Sequence, residues 1–321
     1  MRFTIYGAGA IGGLIGGRLF AAGHDVTLIA RGDHEAAIRR DGLTLVDPGG
    51  RTTLPVPVAG RPADVDLRPG DVVILAMKSQ GTTAAVGELS RCAPPDVAVA
   101  CAQNGVENER VALRSFARVY GISVMCPAAH LEPGVVIGYS APDAGILEIG
   151  RYPTGTDQTA ERIAGAFGDA GFVSAARDDV MRWKYRKLVL NLGNAVELVC
   201  GPGAFRSPLM RRLVEEGEAV LAAAGIDPVS RAEDRARREG VLEMRPVEGN
   251  ERPGGSTWQS AARGLDSVET DYLNGEIVLL GRLHGVATPA NELLVRLAHR
   301  VIAEGRPPGS ITFDDVLAQL G

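Results

Sequence analysis

The sequence predicts an α/β protein in which an N-terminal doubly wound parallel sheet is followed by an all-α C-terminal domain. In the first half, short apolar runs alternate with helical patterns, as in parallel sheets covered on both faces. After the charged stretch Arg177-Asp178-Asp179 the β-branched clusters disappear, and long windows of helical periodicity take their place. We therefore expect two domains, residues 1–177 and residues 178–321.

The expected strands are apolar runs of four to six residues. They are Phe3–Tyr6, Val26–Ile29, Val72–Met77, Val97–Ala102 and Tyr120–Met125, with further strand-like runs at Val135–Tyr139 and Ile146–Ile149. The expected helices lie within Thr159–Ala170, Met181–Val199, Leu209–Ala224 and Val268–His284. The charged segment Arg231–Arg252 is expected to hold a connection or an exposed helix.

Composition limits the class of protein. A chain of 321 residues favours two domains, and 45% hydrophobic with 23% charged residues is typical of a globular protein. The net charge of -5 gives no basic footprint, so nucleic acid and anionic membranes are poor candidates as principal partners. An apolar run after Arg2 imitates a signal peptide, but a single charge is a weak start for one.

The cysteines and histidines argue against a metal site. The four cysteines, Cys92, Cys101, Cys126 and Cys200, are far apart and form no C-x-x-C pair. The five histidines are scattered, without the clustering that a zinc site needs. The sequence thus predicts reduced thiols in a cytoplasmic protein without a bound metal.

A glycine-rich turn carries the first functional signal. Gly7-Ala8-Gly9-Ala10-Ile11-Gly12 follows an apolar strand and opens a helix that stops at Gly23, before a second strand. In this context Gly7 permits a tight turn, Gly9 lets the backbone approach a pyrophosphate, and Gly12 lets the helix pack closely on the sheet. The run is therefore expected to bind a dinucleotide at the helix N-terminus, as in a Rossmann-type domain.

The end of the second strand indicates which dinucleotide binds. NAD enzymes usually place an acid there for the ribose 2′-hydroxyl, whereas a basic residue suits the 2′-phosphate of NADP. Here the strand runs into Arg31, and Asp33, two residues later, is the rival. We expect NADP(H), with Arg31 at the 2′-phosphate; the alternative for Arg31 is a solvated loop arginine.

Two polar residues follow the next strands of the expected sheet. Lys78 comes after Val72–Met77, and Asn104 after Val97–Ala102. Doubly wound sheets bind ligands at the carboxyl ends of their strands, so both are expected near the cofactor or substrate. The alternatives are a surface lysine and an ordinary Asn-Gly turn.

The second half contributes a polar stripe. At about 100° per residue, Lys187, Asn191 and Asn194 fall within an arc of about 60° on one helix. Asparagines are unfavourable inside helices, so a solvated edge explains the stripe less well than a ligand pocket. Lys184 is the competing lysine, and the spacing to Asn191 favours Lys187.

At these positions the chain resembles the ketopantoate reductase family over nearly its whole length. The shared marks are the glycine run, Arg31, Lys78, Asn104-Gly105, Lys187 with Asn191, and the run Glu269-Thr270-Asp271-Tyr272-Leu273-Asn274-Gly275. The resemblance implies an NADPH-dependent oxidoreductase that reduces the small keto acid 2-dehydropantoate to pantoate, a step of pantothenate biosynthesis.

The resemblance also implies roles for single residues. Lys187 is the expected proton donor, and Asn104 and Asn191 are the expected ligands of substrate or nicotinamide. Glu269 is the second expected catalytic residue, in contact with the nicotinamide end and the substrate side. Asn194 is expected to help orient the substrate. A homodimer is left open.

The departures from the family pattern lie on the substrate side. Ala195 stands where the family has a second asparagine, with Asn194 one position earlier, and Thr257 has the spacing of the substrate-binding serine. Ala261 and Val268 replace an acid and a threonine. Two alternatives therefore stay open: a paralogue that reduces another 2-keto acid or oxidises a hydroxy acid, and an NADP-binding regulator without catalysis.

Overall fold

The computed structural model describes residues 1–201, 207–247, 249 and 269–320. It confirms the α/β class, with a parallel N-terminal sheet and a helical C-terminal region. The chain divides into two compact units. One contains Met1–Lys184 and the described part of Arg231–Arg252, and the other contains the described parts of Tyr185–Ser230 and Pro253–Gly321. The functional boundary expected after residue 177 stays a prediction.

A seven-stranded sheet forms the centre of the first unit, in the order β11-β8-β7-β6-β1-β2-β5. Its strands are β1 (Arg2–Tyr6), β2 (Asp25–Ile29), β5 (Val58–Ala59), β6 (Val72–Leu75), β7 (Ala98–Cys101), β8 (Val119–Met125) and β11 (Ile146–Arg151). All neighbours are parallel except β11, which runs antiparallel to β8. β1 lies between β2 and β6, so the strand order reverses beside it, where such sheets bind ligands.

Helices cover both faces of this sheet. They are α1 (Ala10–Ala21), α2 (Gly32–Asp41), α3 (Thr82–Leu89), α4 (Asn108–Leu113) and α5 (Gln158–Asp169). One apolar core contains residues of α1 and α5, among them Leu14 and Phe167. The other contains residues of α3 and α4, with Val86 and Ala112. Burial on both faces explains why the strands read as continuous apolar runs.

A second, four-stranded sheet in this unit was not predicted. Its order is β4-β3-β10-β9, formed by β3 (Leu43–Asp47), β4 (Gly50–Leu54), β9 (Ala128–Ala129) and β10 (Val135–Gly138). It packs closely on α1, since a Cβ on Gly17 would lie 2.9 Å from a methyl carbon of Leu45. Gly13 and Gly17 thus allow close packing of α1 against this second sheet.

The segment after Ser230 adds a further helix to the first unit. α9 (Arg231–Arg238) carries Arg237, whose guanidinium pairs with the buried carboxylate of Glu148 on β11. Arg177 pairs with the same carboxylate at 2.7 Å and lies over the ring of Trp183. A buried acid thus helps to hold this late segment against the sheet, together with backbone bonds of Glu243 and Arg245 to Ala141 and Tyr139.

The described part of the second unit is helical. Besides the later part of α6 (Val180–Asn191), its helices are α7 (Gly193–Cys200), α8 (Pro208–Ala223), α10 (Asn274–His284), α11 (Pro289–Ala303) and α12 (Phe313–Ala318). Polar side chains join three of them: Asn291 accepts from Asn274 at 3.0 Å and donates to Glu216 at 2.7 Å. Among the residues that the structure describes, no helix is long and apolar enough to cross a membrane.

Candidate active site

The glycine-rich turn joins β1 to α1 at the carboxyl edge of the sheet. Gly7 has φ of 100°, and a Cβ there would lie 2.7 Å from the backbone nitrogen of Met77. A Cβ on Gly12 would lie 2.1 Å from the carbonyl oxygen of Gly7. Both positions therefore require glycine, one for its backbone conformation and both for close approach of the chain.

The N-terminus of α1 fits a phosphate group. A Cβ on Gly9 would meet nothing within 4 Å, so the space beside this residue is open. No side chain in the described part of the chain caps the helix, and its first turn, which includes Ala10 and Ile11, holds no acid. The N–H groups of a first helical turn have no partner within the helix, and the dipole favours an anion there. A pyrophosphate would therefore satisfy these donors.

His34 supports the turn, a role that sequence reasoning missed. Its Nδ1 accepts from the backbone N–H of Gly134 at 2.9 Å, so Nε2 carries the proton and donates to the carbonyl oxygen of Ala8 at 2.7 Å. The ring of His130 packs against it, with centroids 4.1 Å apart. Burial lowers the pKa of His34 below its usual value, against the opposing effect of the Ala8 bond. No local sequence pattern marks this histidine.

Arg31 directly precedes α2, and its side chain is two-thirds exposed. Its guanidinium donates to the hydroxyl of Tyr6 at 3.2 Å and to the carboxylate of Glu88 at 3.1 Å. Tyr6 is the last residue of β1, directly before the glycine-rich turn. Arg31 therefore lies close to the end of β1 and holds an acidic partner in this structure.

Buried hydrogen bonds join the loops that follow β6 and β7. The carbonyl oxygen of Asn104 accepts from the side chains of Asn108 at 2.8 Å and Ser79 at 3.2 Å. Asn108 also accepts from Thr82 at 2.7 Å. Lys78 and Asn104, both half-buried, thus lie on two loops that are bonded to each other.

A buried ion pair lies beside the loop that follows β7. Lys184 pairs with Glu109 at 2.6 Å, and both side chains are at most 2% exposed. The ammonium also donates to the carbonyl oxygens of Gln103 at 2.9 Å and Ile122 at 3.3 Å. Burial raises the pKa of Glu109, and the nearby charge of Lys184 opposes that rise. Lys184, the competing candidate for the acid role, is thus engaged in the interior of the first unit.

The expected polar stripe spans two helices. Lys187 and Asn191 lie one turn apart on α6, whereas Asn194 lies on α7, after an interruption at Leu192. All three side chains are half-buried, and the apolar Leu188, Val189 and Leu192 beside them are buried as expected. The prediction of one continuous helix was wrong at this point, because Gly193 begins a new helix.

Asn274 of the family motif has a structural task at this interruption. Its side chain donates to the carbonyl oxygen of Leu192 at 3.2 Å, so it satisfies a carbonyl at the junction of α6 and α7. Glu269 is buried and begins a 3₁₀ turn, Glu269–Tyr272, just before α10. Thr257, Ala261 and Val268 lie outside the described residues.

The sheet order and the fingerprint turn define a dinucleotide-binding protein of the Rossmann class. A family model described as ketopantoate reductase PanE/ApbA matches residues 3–153, and the model of its C-terminal part matches residues 179–302. The chain belongs to the ketopantoate reductase family. It is accordingly an oxidoreductase that uses a nicotinamide dinucleotide.

Curated relatives match almost end to end. The 2-dehydropantoate 2-reductase of Pyrococcus horikoshii is 31% identical over 92% of this chain and 95% of the relative. The enzyme of the same name from Halobacterium salinarum is 30% identical over 94% of this chain and 99% of its own.

Solved structures agree in fold. A PanE/ApbA family ketopantoate reductase from Ralstonia eutropha aligns with a TM-score of 0.80 and 30% identity, over 95% of this chain and 99% of its own. A D-mandelate dehydrogenase solved with NADH and anilino(oxo)acetate also has a TM-score of 0.80, at 24% identity over 95% and 99% of the two chains. That second likeness shows the shared fold.

Proposed function

We propose that this protein reduces the 2-keto group of 2-dehydropantoate to pantoate with NADPH. The observation that carries the cofactor part is the fingerprint turn, where Gly9 leaves open space at the uncapped N-terminus of α1. The substrate part is supported by the activity that the curated relatives are named for.

The following residues bind most of the cofactor in this proposal. Backbone N–H groups of the Gly7–Gly12 run bind the pyrophosphate, and Arg31 binds the 2′-phosphate. Lys78 adds positive charge at the loop after β6, and the Asn104 amide contacts nicotinamide or substrate. When bound, NADPH supplies the hydride for the keto carbon.

Other residues act on the substrate in this proposal. The Lys187 ammonium hydrogen-bonds the keto oxygen and donates its proton as negative charge develops there. Asn191, Asn194 and Thr257 orient the carboxylate and hydroxyl groups of the substrate. Glu269 contacts the nicotinamide end and the substrate side. The 2% exposure of the Lys184 side chain supports this assignment, since Lys184 has no access to a substrate.

The test is NADPH oxidation by the purified protein with 2-dehydropantoate and a panel of other 2-keto acids. We expect turnover of 2-dehydropantoate with a kcat/KM at least about tenfold above that of any other acid, a preference of about 1.4 kcal/mol. Dinucleotide binding without turnover of any acid would favour the non-catalytic regulator instead.

One observation favours a second candidate, the reduction of a different 2-keto acid. Ala195, where the family has an asparagine, is 1% exposed on α7 and has no polar group to offer a substrate. A substrate without the hydroxyl of 2-dehydropantoate would need one polar partner fewer. Turnover of such an acid, with none of 2-dehydropantoate, would establish this alternative.

A further inference from the structure

Three side chains from separate elements meet beside the end of β1. Tyr6 ends β1, Arg31 follows β2, and Glu88 lies in the last turn of α3. The Tyr6 hydroxyl donates to Oε2 of Glu88 at 2.5 Å, and Arg31 donates to the same oxygen at 3.1 Å. Arg31 also donates to the Tyr6 hydroxyl at 3.2 Å, which closes a three-membered cluster.

The cluster is more than an exposed ion pair, because Tyr6 holds Glu88 in place. Tyr6 is 3% exposed and packs in the core beside α3, so its position is fixed. Burial, followed by the hydrogen bond to Glu88, raises the pKa of Tyr6 to about 12. The hydroxyl therefore keeps its proton at neutral pH and remains a donor to the carboxylate.

A carboxylate and a phosphate compete for one guanidinium. Both accept charge-assisted hydrogen bonds from arginine, often through two parallel N–H groups. A 2′-phosphate at Arg31 must therefore displace Glu88 or share the guanidinium with it, and sharing places two anions side by side. A dinucleotide without the 2′-phosphate requires neither change.

We propose that Glu88 is a specificity-determining residue, whose carboxylate competes with the 2′-phosphate for Arg31 and so lowers the preference of this chain for NADPH over NADH. This inference rests on the proposed function, since that function places Arg31 at the 2′-phosphate. NAD enzymes usually carry an acid at the end of β2, where this chain has none. In our proposal Glu88 of α3, which lies outside the fingerprint region, supplies that acid.

The test compares the Kd values of NADPH and NADH, measured by nucleotide fluorescence, for the wild type and Glu88→Gln. Glutamine keeps the shape and an acceptor for Tyr6 but removes the charge. We expect the Kd of NADPH to fall about 3- to 10-fold, within the range of an exposed to partly buried ion pair, while the Kd of NADH changes less than about twofold. A general structural defect would weaken both dinucleotides together.

Two controls make the result specific. Glu243→Gln makes the same change in another exposed pair of the first unit, with Arg245 at 2.6 Å, and both Kd values should stay at the wild-type level. In an Arg31→Ala background, Glu88→Gln should lose most of its effect, as a double-mutant cycle requires of two coupled residues. The fragments 2′,5′-ADP and 5′-AMP repeat the comparison without the nicotinamide.

An NADPH affinity that is unchanged or weakened in Glu88→Gln overturns the inference, because Glu88 would then be neutral or would support Arg31. An equal gain in the Arg31→Ala background also overturns it. Failure of the wild type to bind either dinucleotide would instead contradict the cofactor part of the proposed function.

Discussion

Two lysines three residues apart on α6 have different surroundings. Lys184 is buried with Glu109, whereas Lys187 is half-buried and follows it by nearly one helical turn. Sequence spacing favoured Lys187 as the acid, but it did not reveal the partner of Lys184, because Glu109 is 75 positions away in the sequence. At the scale of single residues, therefore, the structure adds the reason why one lysine is unavailable for chemistry.

Lys187→Ala tests the proton donor. Loss of the ammonium should lower kcat by about 10²- to 10⁴-fold, the usual contribution of a positioned acid, while the Kd of NADPH changes little. Steady-state kinetics and fluorescence titration measure the two quantities separately. Arg212→Ala, which removes an exposed cation from α8, is the control and should retain full turnover. Near-normal turnover of Lys187→Ala would end this assignment.

His34 predicts a pH dependence. Because burial lowers its pKa in the folded protein, the unfolded chain binds a proton more readily below the usual value of about 6.5. The free energy of unfolding should therefore fall as the pH drops from about 6.5 through the lowered pKa. Protonation of Nδ1 would also break the bond from Gly134.

Urea unfolding between about pH 7.5 and 5.5 measures this dependence. In His34→Gln the slope should be smaller than in the wild type, and dinucleotide binding should be weaker because the support of the Ala8 carbonyl changes. An identical slope in wild type and variant would contradict the role of His34.

At the scale of elements, the loops after β6 and β7 show how far sequence reasoning reaches. Parallel strands end at the same edge of a sheet, so Lys78 and Asn104 could be placed there before the structure was known. The bonds that join their loops could not, since Thr82 and Asn108 look like ordinary helix-start residues. Such networks depend on neighbours in space, which local patterns do not encode.

The same limit explains the missed sheet and the interrupted helix. Leu43–Asp47 and Gly50–Leu54 are joined by Pro48-Gly49, a turn signal between short runs that does indicate a hairpin. The partner strand β10 pairs with β3 from more than 80 residues away, so the sheet itself is not readable locally. At Leu192 the apolar periodicity continues through the interruption, and Asn274 satisfies the carbonyl there.

Lys184→Met tests the anchor of α6. It leaves Glu109 buried without a counter-charge, so the free energy of unfolding should fall by about 3–5 kcal/mol. The double variant Lys184→Met/Glu109→Leu replaces both charges with apolar side chains and should recover most of that loss. Urea unfolding of wild type and both variants measures the difference. A double variant no more stable than Lys184→Met would show that the buried charge is not the cause.

At the scale of the whole molecule, the sequence predicted the two-part organisation and the order of sheet before helices. It did not predict that α9, late in the chain, belongs to the compact unit of the sheet. The charged segment was expected as a connection or an exposed helix. It is attached by Arg237, which reaches the 1% exposed Glu148 across 89 positions of sequence, and by backbone bonds of Glu243 and Arg245 to Ala141 and Tyr139.

Glu148→Gln tests that attachment. The neutral amide accepts weaker hydrogen bonds from Arg177 and Arg237, so the free energy of unfolding should fall by about 1–3 kcal/mol, the usual range for buried bonds to charged groups. Glu161→Gln, an exposed position on α5, should change it by less than about 0.5 kcal/mol. Proteolysis near α9 should become faster in Glu148→Gln alone. Equal stability of the two variants would show that Glu148 does not hold α9 against the sheet.

The double pairing of Glu148 has a consequence for the nascent chain. Domains generally fold as units during synthesis, from the N-terminus onward. Here the ribosome releases the sheet and Arg177 early, but Arg237 follows only after the first part of the second unit, Tyr185–Ser230, has been made. A chain halted at residue 184 would expose part of a surface that α9 later covers. Translation therefore completes the dinucleotide-binding unit only after it has begun the helical one.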